Sequence, residues 1–183
     1  MLQPFIKIFL ALILIITVIG CSSESEGEII AMEKVTDSGK NFSIEDLKKI
    51  GFKENKEYKI KKLPGAISAY FGFIKNDLKG PEDYEIRFYS NHDEAVKLGI
   101  KYADNIVSEN ACVKKECSLW LENLNQRQQI DGGPSIMESM AGTRNAKYKS
   151  YVIYNNLILF CPGNNEDDSM KNCTIVIDKL ERK

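Results

Sequence analysis

The stretch Tyr148-Lys-Ser-Tyr-Val-Ile-Tyr-Asn-Asn-Leu-Ile-Leu-Phe-Cys161 carries the strongest fold signal in the chain. Two strand-like runs, Tyr148 to Tyr154 and Leu157 to Cys161, are separated by Asn155-Asn156 alone. Asparagine tolerates positive φ, so a two-residue gap of this kind predicts a tight hairpin. The second run is apolar throughout, the pattern of a central strand buried on both faces.

Toward the C-terminus, Pro162 to Asp168 reads as an acidic loop. Ser169 to Leu180 reads as a helix because Met170, Cys173, Ile177 and Leu180 share a stripe, although Thr174 to Ile177 would also suit a strand. On the N-terminal side, Tyr84-Glu-Ile-Arg-Phe-Tyr89 alternates, with Tyr84, Ile86 and Phe88 on one face and Glu85, Arg87 and Tyr89 on the other, a half-buried strand. Ala66 to Ile74 is another strand, entered by the turn Pro64-Gly65 and followed by a loop from Asn76 to Asp83. Ser90-Asn91 offers an N-cap to a helix reaching Val107, with Val96, Ile100 and Ala103 on its apolar stripe. Gly99 on that buried side costs about 1 kcal/mol relative to Ala, tolerable if it permits a close approach to the sheet. A shorter helix is signalled by Ser43, Glu45, Asp46 and the closing Gly51. Cys112 to Gln129, with the single Trp120, reads as a short helix or a covering segment, and Asp131 to Asn145 as a long loop. The expected architecture is α+β: an antiparallel sheet of about four strands with helices packed mainly on one face. Ala66 to Val107 and Tyr148 to Leu180 each read strand, strand, helix, a weak internal repeat.

The 183 residues are 43% apolar and 28% charged with a net charge of -1, which excludes a wholly disordered chain and a multi-span membrane protein. With 25 cationic against 26 acidic side chains there is no overall positive field to collect nucleic acid. Residues 1–20 have the layout of a signal peptide: one cation, Lys7, an apolar run from Ile8 to Ile19, and the small Gly20 before Cys21. That run spans about 18 Å as a helix, short of the roughly 30 Å hydrocarbon core of a bilayer. Val18-Ile19-Gly20-Cys21 resembles the lipobox of bacterial lipoproteins. The resemblance implies removal of residues 1–20 and a diacylglyceryl thioether on Cys21, with two or three acyl chains giving stable attachment. Residues 21–41 are then expected to form a solvated tether and residues 42–183 a single domain.

Four cysteines remain, Cys112, Cys117, Cys161 and Cys173, and an even count in an exported chain reads as two disulfides. Three connectivities are open; pairing of nearest neighbours, Cys112–Cys117 and Cys161–Cys173, is favoured because the shortest loops close first. A catalytic thiol or metal site is the alternative, and the spacings match neither thioredoxin-like nor zinc patterns.

Candidate chemistry is sparse. His92, the sole histidine, lies at a helix start and could serve as a base toward a nucleophile such as Ser135, but no Gly-x-Ser-x-Gly elbow occurs. Asn164 to Asp168 offers oxygen ligands for calcium without the spacing of an EF-hand loop, so a solvated turn is the plainer reading. Phosphate-cradling glycine motifs are absent, and no catalytic residue, metal ligand or cofactor is expected. Lys48 to Lys62 holds seven lysines against two glutamates, a solvated face or a patch for anionic lipid or an acidic partner. If Tyr89 and Tyr151, with Arg87, line an uncovered sheet face or the mouth of the 131–145 loop, they would suit a small ligand or a peptide.

Leu63-Pro-Gly-Ala66, Tyr70-Phe-Gly-Phe73 and Tyr84 to Tyr89 followed by Asp93-Glu-Ala-Val96 resemble bacterial envelope lipoproteins of no assigned activity. The expectation is therefore a lipid-anchored module on the extracytoplasmic side of the cell membrane or outer membrane. It would bind a small molecule or protein without catalysis. The alternatives are a small envelope enzyme using His92 or a reactive cysteine, and a ligand-binding accessory of a transporter.

Overall fold

The computed structural model describes residues 29–76, 80–107, 110–131 and 142–182. The leader, Cys21, the first part of the expected tether, and Ser135 with residues 132–141 of the expected long loop lie outside the described residues. Within them the chain is mixed α+β, with one large sheet and few helices. The elements are β1 (Val35–Thr36), α1 (Ile44–Lys49), β2 (Lys53–Glu57), β3 (Ala66–Asn76), β4 (Gly80–Tyr89), a helical segment α2, β5 (Gln128–Asp131), β6 (Thr143–Ala146), β7 (Tyr148–Tyr154), β8 (Leu157–Pro162) and α3 (Glu166–Glu181). The α2 segment joins an α-helical turn His92–Glu94, a π-helical turn Ala95–Gly99 and an α-helical turn Ile100–Asp104. The order strand, strand, helix thus occurs at β3–β4–α2 and again at β7–β8–α3.

The main sheet has six strands in the order β1-β7-β8-β4-β3-β2, not about four. Its four inner strands are those legible in the sequence, and all their pairings are antiparallel. The two extra strands are the edges. β1 is two residues long and pairs in parallel with β7. β2 reads Lys-Glu-Asn-Lys-Glu and is exposed at every position, so no apolar alternation announces it; charge on an edge strand keeps it from pairing with other chains. The expected loop 76–83 is shorter than predicted, since β3 runs to Asn76 and β4 starts at Gly80 with φ +85°.

Both faces of the sheet are covered. One apolar cluster joins Ile86 and Phe88 of β4, Val152 and Tyr154 of β7, and Leu157 and Leu159 of β8 to Leu47 of α1 and Val176, Ile177 and Leu180 of α3. A second takes the opposite parity of the same strands, Tyr89, Tyr151, Ile153, Ile158 and Phe160, with Ala95, Ala103, Ile106 and Val107 of α2 and the residues after it. Each cluster includes helical residues, and β4 is not half-buried: Glu85, Arg87 and Tyr89 are each 0% exposed.

Local chemistry sets the helix starts. At α1 the Asp46 carboxylate accepts from the Ser43 N–H at 3.0 Å and hydroxyl at 2.8 Å. The Lys49 ammonium first, and these Ser43 donors next, hold the Asp46 carboxyl at about 2. At α3 the Asn165 Oδ1 accepts from the Asp168 N–H at 2.8 Å, so the helix opens three residues earlier than expected. Glu166, Asp167 and Asp168 thereby become first-turn acids facing the positive end of the helix, not a loop. Residues 112–129, expected as a short helix or a covering segment, hold a 3-10 turn, Leu124–Arg127, and the first two residues of β5, and the segment covers part of the core through the buried Trp120.

The segment expected as tether through Asn41 is engaged from Met32 onward. Its N–H donates to Thr174 Oγ1 at 2.9 Å, and the Lys34 and Thr36 carbonyls accept from Ile153 and Asn155 at 2.8 and 2.9 Å. Cys161 on β8 is bonded to Cys173 on α3, and Cys112 to Cys117, with Cα separations of 5.5 and 5.6 Å. On the loop-entropy argument the two contribute roughly 3 and 2 kcal/mol.

Gly99 seats α2 against the sheet: a Cβ there would stand 2.4 Å from Ile158 Cδ1 and 2.8 Å from Tyr89 Oη. Gly99→Ala gains about 1 kcal/mol of helix propensity and loses about 1–3 kcal/mol to overpacking. The expected outcome is a lower urea unfolding midpoint, and an unchanged or higher midpoint would show that the approach has slack.

Candidate functional site

The alternation of β4 puts Glu85, Arg87 and Tyr89 on the face that also carries Phe160 of β8, which lies opposite Glu85 in the register. Glu85 Oε1 accepts from Arg87 Nε at 2.8 Å, with Nη2 of the same guanidinium at 2.7 Å. Its other oxygen accepts from Arg127 Nε at 2.7 Å, and Arg127 Nη1 donates to the Trp120 carbonyl at 3.1 Å. Each guanidinium lies over two rings: Arg87 over Phe160 at 4.4 Å and Trp120 at 5.0 Å, and Arg127 over Trp120 at 4.2 Å and Tyr58 at 5.4 Å. Tyr58 meets Trp120 edge-on at 5.6 Å and donates its hydroxyl to Gln126 Oε1 at 2.8 Å.

Glu85 and Arg87 are 0% exposed and Arg127 1%, so one negative and two positive groups share a site closed to solvent. Burial alone would raise the Glu85 carboxyl, but the charges of Arg127 and Arg87, with their hydrogen bonds, outweigh it and hold the group below the ordinary carboxylate range. Burial pushes Arg87 down against the opposing pull of Glu85, and arginine starts high enough to stay charged. Burial also drives the hydroxyls of Tyr89 and Tyr148 upward, so both stay neutral at physiological pH. A carboxylate held deprotonated in this way has no proton to give. What the site offers is positive charge and hydrogen-bond donors.

The structure brings two of the expected ligand residues into this cluster's face but not to a surface. Arg87 and Tyr89 are 0% exposed and Tyr151 3%, because α2 and residues 112–131 cover what the alternation of β4 had suggested was open. Tyr151 donates its hydroxyl to Asp104 at 2.7 Å and lies under the Lys34 ammonium at 4.5 Å. His92 Nδ1 sits 3.0 Å from the Asn155 carbonyl, and all four described cysteines are in disulfides. Surface hollows lie elsewhere: one of about 480 Å³ bordered by Lys40, Phe42, Asp46, Lys49, Leu180 and Glu181, another of about 330 Å³ that includes Lys114, Lys115, Gln128 and Arg144. Among the described residues no group of three histidine, cysteine or acidic side chains is placed to hold a metal ion.

Sequence reasoning missed Glu85 and Arg127 as partners. The available signal was a carboxylate and a guanidinium two residues apart in the otherwise apolar stretch Tyr84 to Tyr89; their third member lies 42 positions from Glu85 in a segment without periodicity.

A family model described as a family of unknown function (DUF6810) matches residues 43–182. Neither the curated proteins nor the solved structures compared with the chain contain a match.

Glu85→Gln leaves two buried guanidiniums without a counter-charge and is expected to cost about 3–5 kcal/mol in urea unfolding at pH 7. The depressed carboxyl also sets a pH dependence: its contribution is full above the unfolded value near 4.3 and is lost as pH falls through the lower folded value. Unfolding midpoints measured from pH 6 down to pH 3 are expected to fall more steeply in the native protein than in Glu85→Gln. Parallel slopes would remove Glu85 from the account.

Proposed function

The chain belongs to the family of unknown function (DUF6810), a membership that brings no activity with it, and we propose that it is a lipid-anchored extracytoplasmic lipoprotein serving as a non-catalytic binding or interaction module. The observation that carries this reading is Val18-Ile19-Gly20-Cys21 behind a cation and a 12-residue apolar run. Cys21 would bear the lipid and hold the protein to the bacterial cell membrane or outer membrane.

Two features support the placement. Both cysteine pairs stand at disulfide geometry, as suits an oxidising compartment. Among the described residues the first backbone group bonded to the rest of the domain is Met32, so the stretch between anchor and fold is at most the ten residues Ser22 to Ala31. Such a link reaches at most about 35 Å, so the domain would work close to the bilayer. Against the enzyme alternative stand the carriers it needs: His92 is engaged by backbone of the β7–β8 turn, and the described cysteines are paired. The transporter-accessory alternative would need a deep aromatic-lined cleft, and the aromatic residues of the sheet are packed inside.

The test is intact mass of the membrane-fraction protein before and after reduction, beside a Cys21→Ser variant. Loss of residues 1–20, a lipid adduct and a gain of four hydrogens on reduction are expected, with the variant released from the membrane. A variant that stays embedded with its leader attached would overturn the reading.

A further inference from the structure

We propose that the Glu85–Arg87–Arg127 cluster, with Tyr148, is a buried binding site for one small monovalent anion. The inference is independent of the membrane anchor. It rests on two counts that agree.

The first is charge. One carboxylate faces two guanidiniums at exposures of 0, 0 and 1%, an excess of one positive charge where water cannot screen it. Of the other acids whose fields reach the cluster's tyrosines, Asp83 pairs with Lys147 at 2.6 Å, while Glu122 keeps its charge at a partly exposed position and accepts from the neutral Asn123 amide at 2.8 Å.

The second is hydrogen bonding. Arg87 Nη1, Arg127 Nη2 and the hydroxyls of Tyr148 and Tyr89 are buried with no hydrogen-bond partner. All four carry donor hydrogens, and the guanidinium nitrogens can only donate. The rings above and below each guanidinium ease its charge through their faces, but the N–H bonds point in the guanidinium plane, where no ring can receive them. A group that accepts several N–H and O–H bonds and carries one negative charge meets both counts at once.

Tyr148 belongs to the site because its ring packs at 5.8 Å on Phe160, the ring under Arg87, and its buried hydroxyl has no hydrogen-bond partner. Tyr89 is assigned outside it, since its hydroxyl lies against Gly99 of α2. Size follows from burial. Trp120, Tyr58 and Phe160 close the cluster, so the occupant is of halide, nitrate or formate dimensions; an inorganic ion and the carboxylate of a small organic acid share the required chemistry.

The test follows thermal unfolding of the full-length protein in nonionic detergent at pH 7, titrated with sodium chloride, nitrate, formate or acetate and held at constant ionic strength with gluconate, which is too large to enter. A saturable rise in midpoint with the small anions and none with gluconate is expected. Chloride and formate separate the inorganic from the carboxylate source. Tyr148→Phe, which removes one partnerless hydroxyl and little else, is expected to weaken the anion several-fold while folding normally. Arg87→Met, which cancels the charge excess, is expected to abolish the effect. Chloride-35 line broadening that disappears in Arg87→Met gives a readout separate from stability. Midpoints that stay unchanged as each small anion replaces gluconate mean that internal water meets the donors, and they overturn the proposal. So does an anion effect of equal size in Tyr148→Phe.

Discussion

A carboxylate sealed from water persists as an anion only where neighbouring charges answer its field, and Glu85 is answered from two directions, by Arg87 on its own strand and by Arg127 from residues 112–131. That pairing gives the covering segment its place. Residues 112–131 hold little regular structure, yet Trp120 is 3% exposed, wedged between the two guanidiniums, and its carbonyl accepts from Arg127. Asn105 secures the other end of the segment, accepting from the Cys112 and Leu119 N–H groups at 2.7 and 3.0 Å. An apolar filling of equal volume would hold such a segment about as tightly. The ionic one adds direction, because planar N–H donors and a bidentate acceptor meet in few geometries.

A comparable economy governs the turn between β7 and β8. Asn155 takes φ +52°, as a two-residue hairpin needs, and its side chain then accepts from the Ser38 N–H at 2.6 Å. The Asn156 amide accepts from the Phe42 N–H at 2.8 Å and donates to the Phe42 carbonyl at 3.0 Å. Both asparagines are buried, and between them they bind residues 38–42 across the end of the sheet. Glu181 at the C-terminal end of α3 extends the same clasp, pairing with Lys40 and accepting from the Tyr154 hydroxyl at 2.7 Å.

Much of this was legible in the amino-acid order. The four inner strands, the Asn155-Asn156 turn, the capped helix after Ser43 and the reason for Gly99 follow from local pattern, because each depends on residues within a few positions of one another. The β2 edge was not legible, since Lys53 to Glu57 has no apolar member and is a strand only because β3 offers it hydrogen bonds. Residues 32–41 read as tether for the same reason: their order comes from β7, Thr174 and Glu181, all more than a hundred positions away.

The face of β4 shows the division most clearly. Alternation determined that Glu85, Arg87 and Tyr89 would share one side, a consequence of the two-residue period of any strand. Whether that side met water or the interior depended on what the rest of the chain laid over it. Only the tertiary structure decided this, by bringing α2, Trp120 and Arg127 onto the face. The order of residues along a strand sets which side chains are neighbours; burial is set by distant segments, and with it whether a glutamate and two arginines are a solvated surface or a charged centre in the core.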